Sequence, residues 1–150
     1  MLQTVKVNKK YFTKLDLSIV PSPCYVIDTI VLEDNLKIFN KLKTDTNVKI
    51  LLALKAFSLK HLFPIISNVL DGVCASGLNE AKLGNKYFGG LISTYSPAFK
   101  ASEFNEIMRY SHHITFNSIS QINKYKKLCI DKKIDIGIRI NPLYSEVEVS

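Results

Sequence analysis

Short apolar runs alternate along the chain with segments whose apolar residues recur every three or four positions. Residues 1–22 are polar and irregular and close on Pro21-Ser22-Pro23. Cys24-Tyr-Val-Ile-Asp28 then reads as a short strand. Leu32, Leu36, Phe39 and Leu42 fall at helical spacing and predict a helix over Glu33–Lys43. Residues 48–54 form an apolar strand, and a helix is expected from about Phe63, where Pro64 is tolerated in the first turn. Gly72–Ala75, Leu91–Tyr95, His113–Phe116 and Ile134–Ile140 read as further strands. Ser76 is the expected N-cap of a helix running to about Lys86. Ser102–Tyr110 is a helix with Phe104, Ile107 and Met108 on one face. Ser118-Ile-Ser-Gln121 is a capping box that opens a helix through about Cys129.

Strands alternating with helices at this spacing imply parallel βα units and an α/β fold. About five such units fit either a doubly wound sheet or part of a (β/α)8 barrel. Side-chain parity bears on the choice. In Ile136-Gly-Ile-Arg-Ile-Asn141 the isoleucines share one face, while Gly137, Arg139 and Asn141 share the other. Val48, Ile50, Leu52 and Leu54 likewise oppose Leu51, Ala53 and Lys55, and His113, Thr115 and Asn117 oppose Ile114 and Phe116. A bulky face suits packing under helices, and a smaller, more polar one suits a barrel interior. Lys55, Asn117 and Arg139 are then expected to converge at the C-terminal rim.

Composition narrows the class. The chain has 150 residues, about one ordinary domain, and 47% hydrophobic against 22% charged residues is a globular balance. No apolar run approaches the roughly 20 residues of a membrane span, and the N-terminus lacks the apolar core of a signal peptide. A cytoplasmic location and no membrane partner are expected. The net charge of +7 comes almost wholly from dispersed lysines, with Arg109 and Arg139 the only arginines, so no nucleic-acid partner is expected. Cys24, Cys74 and Cys129 are widely spaced and odd in number. They read as buried free thiols in a reducing compartment, and no metal site is expected.

Lys55 is the residue that carries chemistry. It ends the run Lys49-Ile-Leu-Leu-Ala-Leu-Lys-Ala-Phe57, and an ammonium at the tip of a buried strand is costly. Such a lysine either reaches water along its aliphatic stem or has a depressed pKa and reacts as an amine. A desolvated amine there suits Schiff-base chemistry, with a carbonyl substrate or an aldehyde cofactor.

The wording of the chain then becomes specific. It lies in Pro23-Cys-Tyr-Val-Ile-Asp28, Lys49–Phe57, Leu70-Asp-Gly-Val-Cys-Ala-Ser-Gly-Leu-Asn-Glu-Ala-Lys-Leu-Gly84, Tyr95-Ser-Pro-Ala-Phe-Lys100, His113-Ile-Thr-Phe-Asn-Ser-Ile-Ser-Gln121 and Arg139-Ile-Asn-Pro-Leu-Tyr-Ser-Glu146. From about residue 21 onward the chain resembles the alanine racemase-like, fold-type III pyridoxal phosphate enzymes, and within them the carboxynorspermidine (carboxyspermidine) decarboxylases. The resemblance implies the N-terminal part of a (β/α)8 barrel over residues 23–150 and pyridoxal 5'-phosphate as cofactor. It implies decarboxylation of a small polyamine precursor to norspermidine or spermidine, by a homodimer when full length. Lys55 matches the lysine to which the cofactor attaches. Arg139 matches an arginine that related decarboxylases place near the cofactor's phenolic oxygen, and an interior arginine paired with a barrel carboxylate is the alternative. Ser76 and Glu80 match family wording but suit an ordinary helix start, His112 and His113 read as structural, and Tyr95 as a core or rim aromatic.

Family members are much longer. The ring-stacking histidine, the glycine-rich phosphate loop, the acid at the pyridine nitrogen and a second β domain are not found in these residues. The chain therefore reads as the N-terminal portion of an enzyme, inactive alone. Rival readings are a single-domain pyridoxal phosphate homeostasis protein, an aldolase-like barrel using Lys55 directly, and an inactive remnant.

Overall fold

The computed structural model describes residues 16–144 and 146. Five parallel strands, β1 (Leu51–Ala53), β2 (Gly72–Ala75), β3 (Leu91–Tyr95), β4 (His113–Phe116) and β5 (Asp135–Ile138), lie in the sheet in chain order. Helix α1 (Thr29–Thr46) precedes β1. Helices α2 (Phe63–Ile66), α3 (Leu78–Tyr87), α4 (Ala101–Tyr110) and α5 (Ile119–Asp131) make the four crossovers. Short 3-10 turns stand at Leu17–Ile19 and Lys60–Leu62.

The strand order decides between the two architectures open at the sequence level. A doubly wound sheet reverses its direction of travel at a switch point, which breaks sequential order and puts helices on both faces. Here every connection advances by one strand in the same direction. Crossovers of one hand that keep advancing all fall on one face. The sheet is the arc of a partial (β/α)8 barrel, with its helices outside.

Two apolar clusters fill the space between sheet and helices. One gathers Leu36, Leu54, Phe63, Ile66, Leu70, Val73, Ala75, Ala81, Phe88 and Ile92. The other gathers Phe104, Ile107, Met108, Ile114, Phe116, Tyr125, Cys129 and Ile134. Phe104, Ile107 and Met108 form the buried face of α4, as their spacing predicts. Thr94, buried on the helix side, satisfies its hydroxyl at 2.7 Å from the Ser111 hydroxyl. Strand parity is as expected, because Leu54, Val73, Ile92, Ile114 and Phe116 point into these clusters.

The N-terminal ends of the strands are tied by Asp71. Its carboxylate accepts from Ile50 N at 2.8 Å and pairs with Lys43 Nζ at 3.0 Å. Asp71 N donates to Ile50 O, and Asp71 O accepts from Leu91 N, so one residue bridges three successive segments. The Ile50 amide first, and then Lys43, hold the carboxyl below its ordinary pKa.

Several expectations are corrected. Cys24–Asp28 is not a strand: the segment pairs with nothing in the sheet, and Asp28 instead caps α1 by accepting from Ile30 N and Val31 N. The strand expected over 48–54 keeps ladder pairing only over Leu51–Ala53, because the chain turns at Leu54. The α1 stripe is half covered. Leu36 is buried, while Phe39 and Leu42 are 41% and 46% exposed because the sheet reaches only one side of the helix. The cap of α3 falls at Gly77 rather than Ser76, since the Glu80 carboxylate turns back to accept from both Ser76 N and Ser76 Oγ, each at 2.7 Å. Only Cys129 is a buried thiol, and burial raises it above its ordinary pKa. Cys24 is exposed on the unpaired segment and Cys74 on the inner face of the sheet.

Candidate active site at the C-terminal rim

The inner face of the arc is built in rows by strand register. Ala53, Cys74, Ser93, His113 and Asp135 are successive partners across all five strands. One layer nearer the C-terminal ends, Tyr95, Thr115 and Gly137 are partners. Parity puts Lys55 level with that second layer and carries Asn117 and Arg139 one layer beyond it. The face is bedded by small side chains. A methyl group at Gly137 would stand 3.1 Å from His113 Nε2, so glycine is what lets the imidazole lie against β5. His113 Nδ1 is 2.9 Å from Ser93 Oγ, and His112 Nδ1 accepts from Ile92 N at 3.1 Å, so both histidines are held within the sheet.

At the rim, Arg139, Tyr95 and Asn117 form a linked set. Arg139 Nη1 donates to the Tyr95 hydroxyl at 2.6 Å, and that hydroxyl donates to Asn117 Oδ1 at 3.0 Å. The guanidinium carbon lies 5.5 Å from the centroid of the Tyr95 ring. The alternative of an interior arginine paired with a carboxylate is not what is seen, because no ion pair to Arg139 occurs among the described residues. Tyr95, expected as a core or rim aromatic, stands at the rim. The signal for its role was parity, which places it one layer below both Asn117 and Arg139.

Lys55 follows β1 on a turn and is exposed. Leu54 takes the buried position and Lys55 is exposed, so of the two alternatives for this lysine the one seen is contact with water. Of the three residues expected to converge, Asn117 and Arg139 meet through Tyr95. Lys55 stands at the same end of the sheet on the far strand, without a hydrogen bond or ion pair to either. A groove of about 290 Å³ at this end is lined by Ser76–Glu80, Lys100 and Glu103. A larger one of about 460 Å³ lies between α1 and residues 65–69 on the helix side, away from this chemistry. Among the described residues no cluster of His, Cys, Asp and Glu has the arrangement to hold a metal ion. No helix among them is long and apolar enough to cross a membrane.

Comparison with known proteins gives these positions a context. No protein-family model matches the chain. It is 38% identical over 132 residues to a carboxyaminopropylagmatine decarboxylase of Synechocystis sp., covering 88% of this chain and 34% of that protein. It is 36% identical to the carboxynorspermidine/carboxyspermidine decarboxylase of Campylobacter jejuni and 36% identical to that of Herminiimonas arsenicoxydans. These alignments cover 84% and 82% of this chain and 32% and 33% of the two enzymes. The crystal structure of carboxynorspermidine decarboxylase from C. jejuni, complexed with norspermidine, superposes with a TM-score of 0.75 at 32% identity. It is matched over 87% of this chain and 35% of the other. Over most of its length the chain is similar to carboxynorspermidine/carboxyspermidine decarboxylases. It spans about a third of the length of the decarboxylases it matches.

The residues present fit part of a pyridoxal phosphate site. Lys55 offers an amine that reaches solvent at the open face, and Arg139 offers guanidinium donors left over after Tyr95 takes one. Between their strands, Gly137 leaves room that the His113 imidazole takes up.

Proposed function

We propose that this chain supplies the cofactor-attaching lysine and part of the cofactor bed of a pyridoxal phosphate-dependent decarboxylase. Its substrate class is a small polyamine precursor with a carboxyl group beside an amine, namely carboxynorspermidine or carboxyspermidine. The observation that carries this reading is geometric. Lys55 and Arg139 follow the C-terminal ends of β1 and β5 and are both exposed, in a partial barrel resembling that of a carboxynorspermidine decarboxylase. Barrel enzymes keep their chemistry at that end.

The residues divide the work by charge and reach. Lys55 Nζ is the nucleophile that would hold the cofactor's aldehyde carbon. It must shed a proton first, because an ammonium has no lone pair. Arg139, a fixed cation, would hold an anionic oxygen of the cofactor and cannot itself act as an acid near neutral pH. Pyridoxal phosphate, when bound, supplies the electron sink that accepts the bonding pair as carbon dioxide leaves. A net charge of +7 repels a polycationic amine, so the acidic contacts for the substrate's distal amines are assigned outside these residues. The same reading includes a second subunit of the same kind as partner.

The test is covalent trapping. The chain is incubated with pyridoxal phosphate, reduced with borohydride and mapped by peptide mass. One dominant adduct on Lys55 is expected, and Lys55→Ala should cut the label by about tenfold or more, as for loss of the one amine that a bound cofactor meets. Label scattered over the surface lysines, and unaffected by Lys55→Ala, would sink the proposal.

A further inference from the structure

Arg139 extends beyond β5, where a long, flexible, exposed side chain has many rotamers to choose from. Its observed position depends on one residue two strands away. Tyr95, at the end of β3, reaches diagonally past β4, so that its hydroxyl meets Arg139 Nη1 at 2.6 Å while its ring lies 5.5 Å from the guanidinium carbon. A phenol has a single proton to donate. Here that proton goes to Asn117 Oδ1 at 3.0 Å, which turns the oxygen lone pairs toward Arg139. The three residues thus form a directed chain, Arg139 to Tyr95 to Asn117, drawn from the ends of three adjacent strands. Every member has the polarity that it requires. The contact to a permanently charged donor is the strong one, and the aromatic face adds cation–π attraction.

We propose that Tyr95 is a positioning residue for Arg139, with Asn117 fixing the direction of the hydroxyl, so that the guanidinium is presented at the rim for an anionic oxygen of the cofactor. What Arg139 meets rests on the pyridoxal phosphate reading above; how it is held does not. Phenylalanine at 95 keeps the ring under the cation but removes the acceptor. Alanine at 117 keeps the acceptor but leaves its proton undirected. Aspartate at 117 restores an acceptor for the phenol.

Arginine-specific modification by phenylglyoxal, followed peptide by peptide, separates these roles. The sequence has only two arginines, so exposed Arg109 on α4 is an internal reference for folding and reagent. Tyr95→Phe should raise the ratio of Arg139 to Arg109 modification about three- to tenfold, the loss of one charge-assisted hydrogen bond discounted for exposure. Asn117→Ala should raise it less, and Asn117→Asp should return it toward the unmodified protein's value. A ratio unmoved by Tyr95→Phe overturns the proposal. Circular dichroism of each variant, matching that of the native chain, shows that a raised ratio does not come from global unfolding. A second arm adds pyridoxal phosphate. With label trapped on Lys55, the native chain should show Arg139 protected, and Tyr95→Phe should lose most of that protection while still trapping label. Trapping at Lys55 without protection of Arg139 overturns the assignment of Arg139 to the cofactor. Absence of trapping is a failure of the functional reading alone, and the modification ratio then decides the Tyr95 contact by itself.

Discussion

Asp71 ties three successive segments of this structure together. Its carboxylate closes the start of β1 by accepting from Ile50 N, and its backbone hands the ladder on to Leu91 at the start of β3. Because Ile50 N and Lys43 hold its carboxyl below the ordinary value, its stabilising contribution is present in full above about pH 4, where the unfolded carboxyl is also ionised. It is lost as pH falls through the lowered folded value. Asp71→Asn should therefore cost about 1–3 kcal/mol near neutrality, since the ion pair and the stronger acceptor are removed together. The gap between the two proteins should narrow as pH drops toward about 3. Urea unfolding of both at several pH values checks this, and a gap independent of pH would refute it. Asp71 stood in plain view in the Leu70–Gly84 motif, yet its role was illegible there. Which amide a carboxylate meets depends on a partner 21 residues away.

At the scale of elements, the strands whose partners lie on both sides kept the boundaries that their pattern predicts. Gly72–Ala75, Leu91–Tyr95 and His113–Phe116 are observed as read. Those at the edges shrank, β1 to three residues and β5 to four, because a run of isoleucine and leucine extends a strand only where a neighbour accepts its ladder. Close approach between β2 and β3 also sets a requirement at one position. A side chain built on Gly72 would collide with the Leu91 backbone, which cannot move without breaking the register pairs Gly72 to Leu91 and Val73 to Ile92. Gly72→Ala is expected to cost about 3 kcal/mol or more. Gly77→Ala, with extended backbone and open space around it, should lie within about 0.5 kcal/mol of the native chain. Thermal unfolding of the two variants side by side tests the contrast, and equal midpoints would refute it.

For the whole molecule, the arc leaves much apolar surface without cover among the described residues. Ile136 and Ile138 on β5 are each 38% exposed, although parity turns them toward the helix side, where α5 covers only part of the strand. Parallel edges of this kind pair with one another when concentrated. Ile138→Lys should lower self-association of this chain while leaving the distant Lys55 adduct intact. Mass by light scattering across a concentration series would show it. Two monodisperse monomers, native and variant alike, would argue that the edge is inert.

By itself the sequence determined what depends on neighbours a few residues away. The period of apolar positions fixed the order and type of nearly every element. Parity fixed which residues of each strand share a face, and so marked Lys55, Asn117 and Arg139 as facing one way. Local wording was also enough to place the chain beside its decarboxylase relatives. Only the tertiary structure decided what depends on direction and distance between elements. It showed the singly wound arc that the resemblance implies, which periodicity alone does not separate from a doubly wound sheet because the two differ only in where each crossover lands. Exposure of Lys55 was likewise settled by the turn over residues 54–56, which takes it off the paired strand. The link from Arg139 through Tyr95 to Asn117 exists because a phenol spans two strands in register. No pattern along one dimension encodes that span.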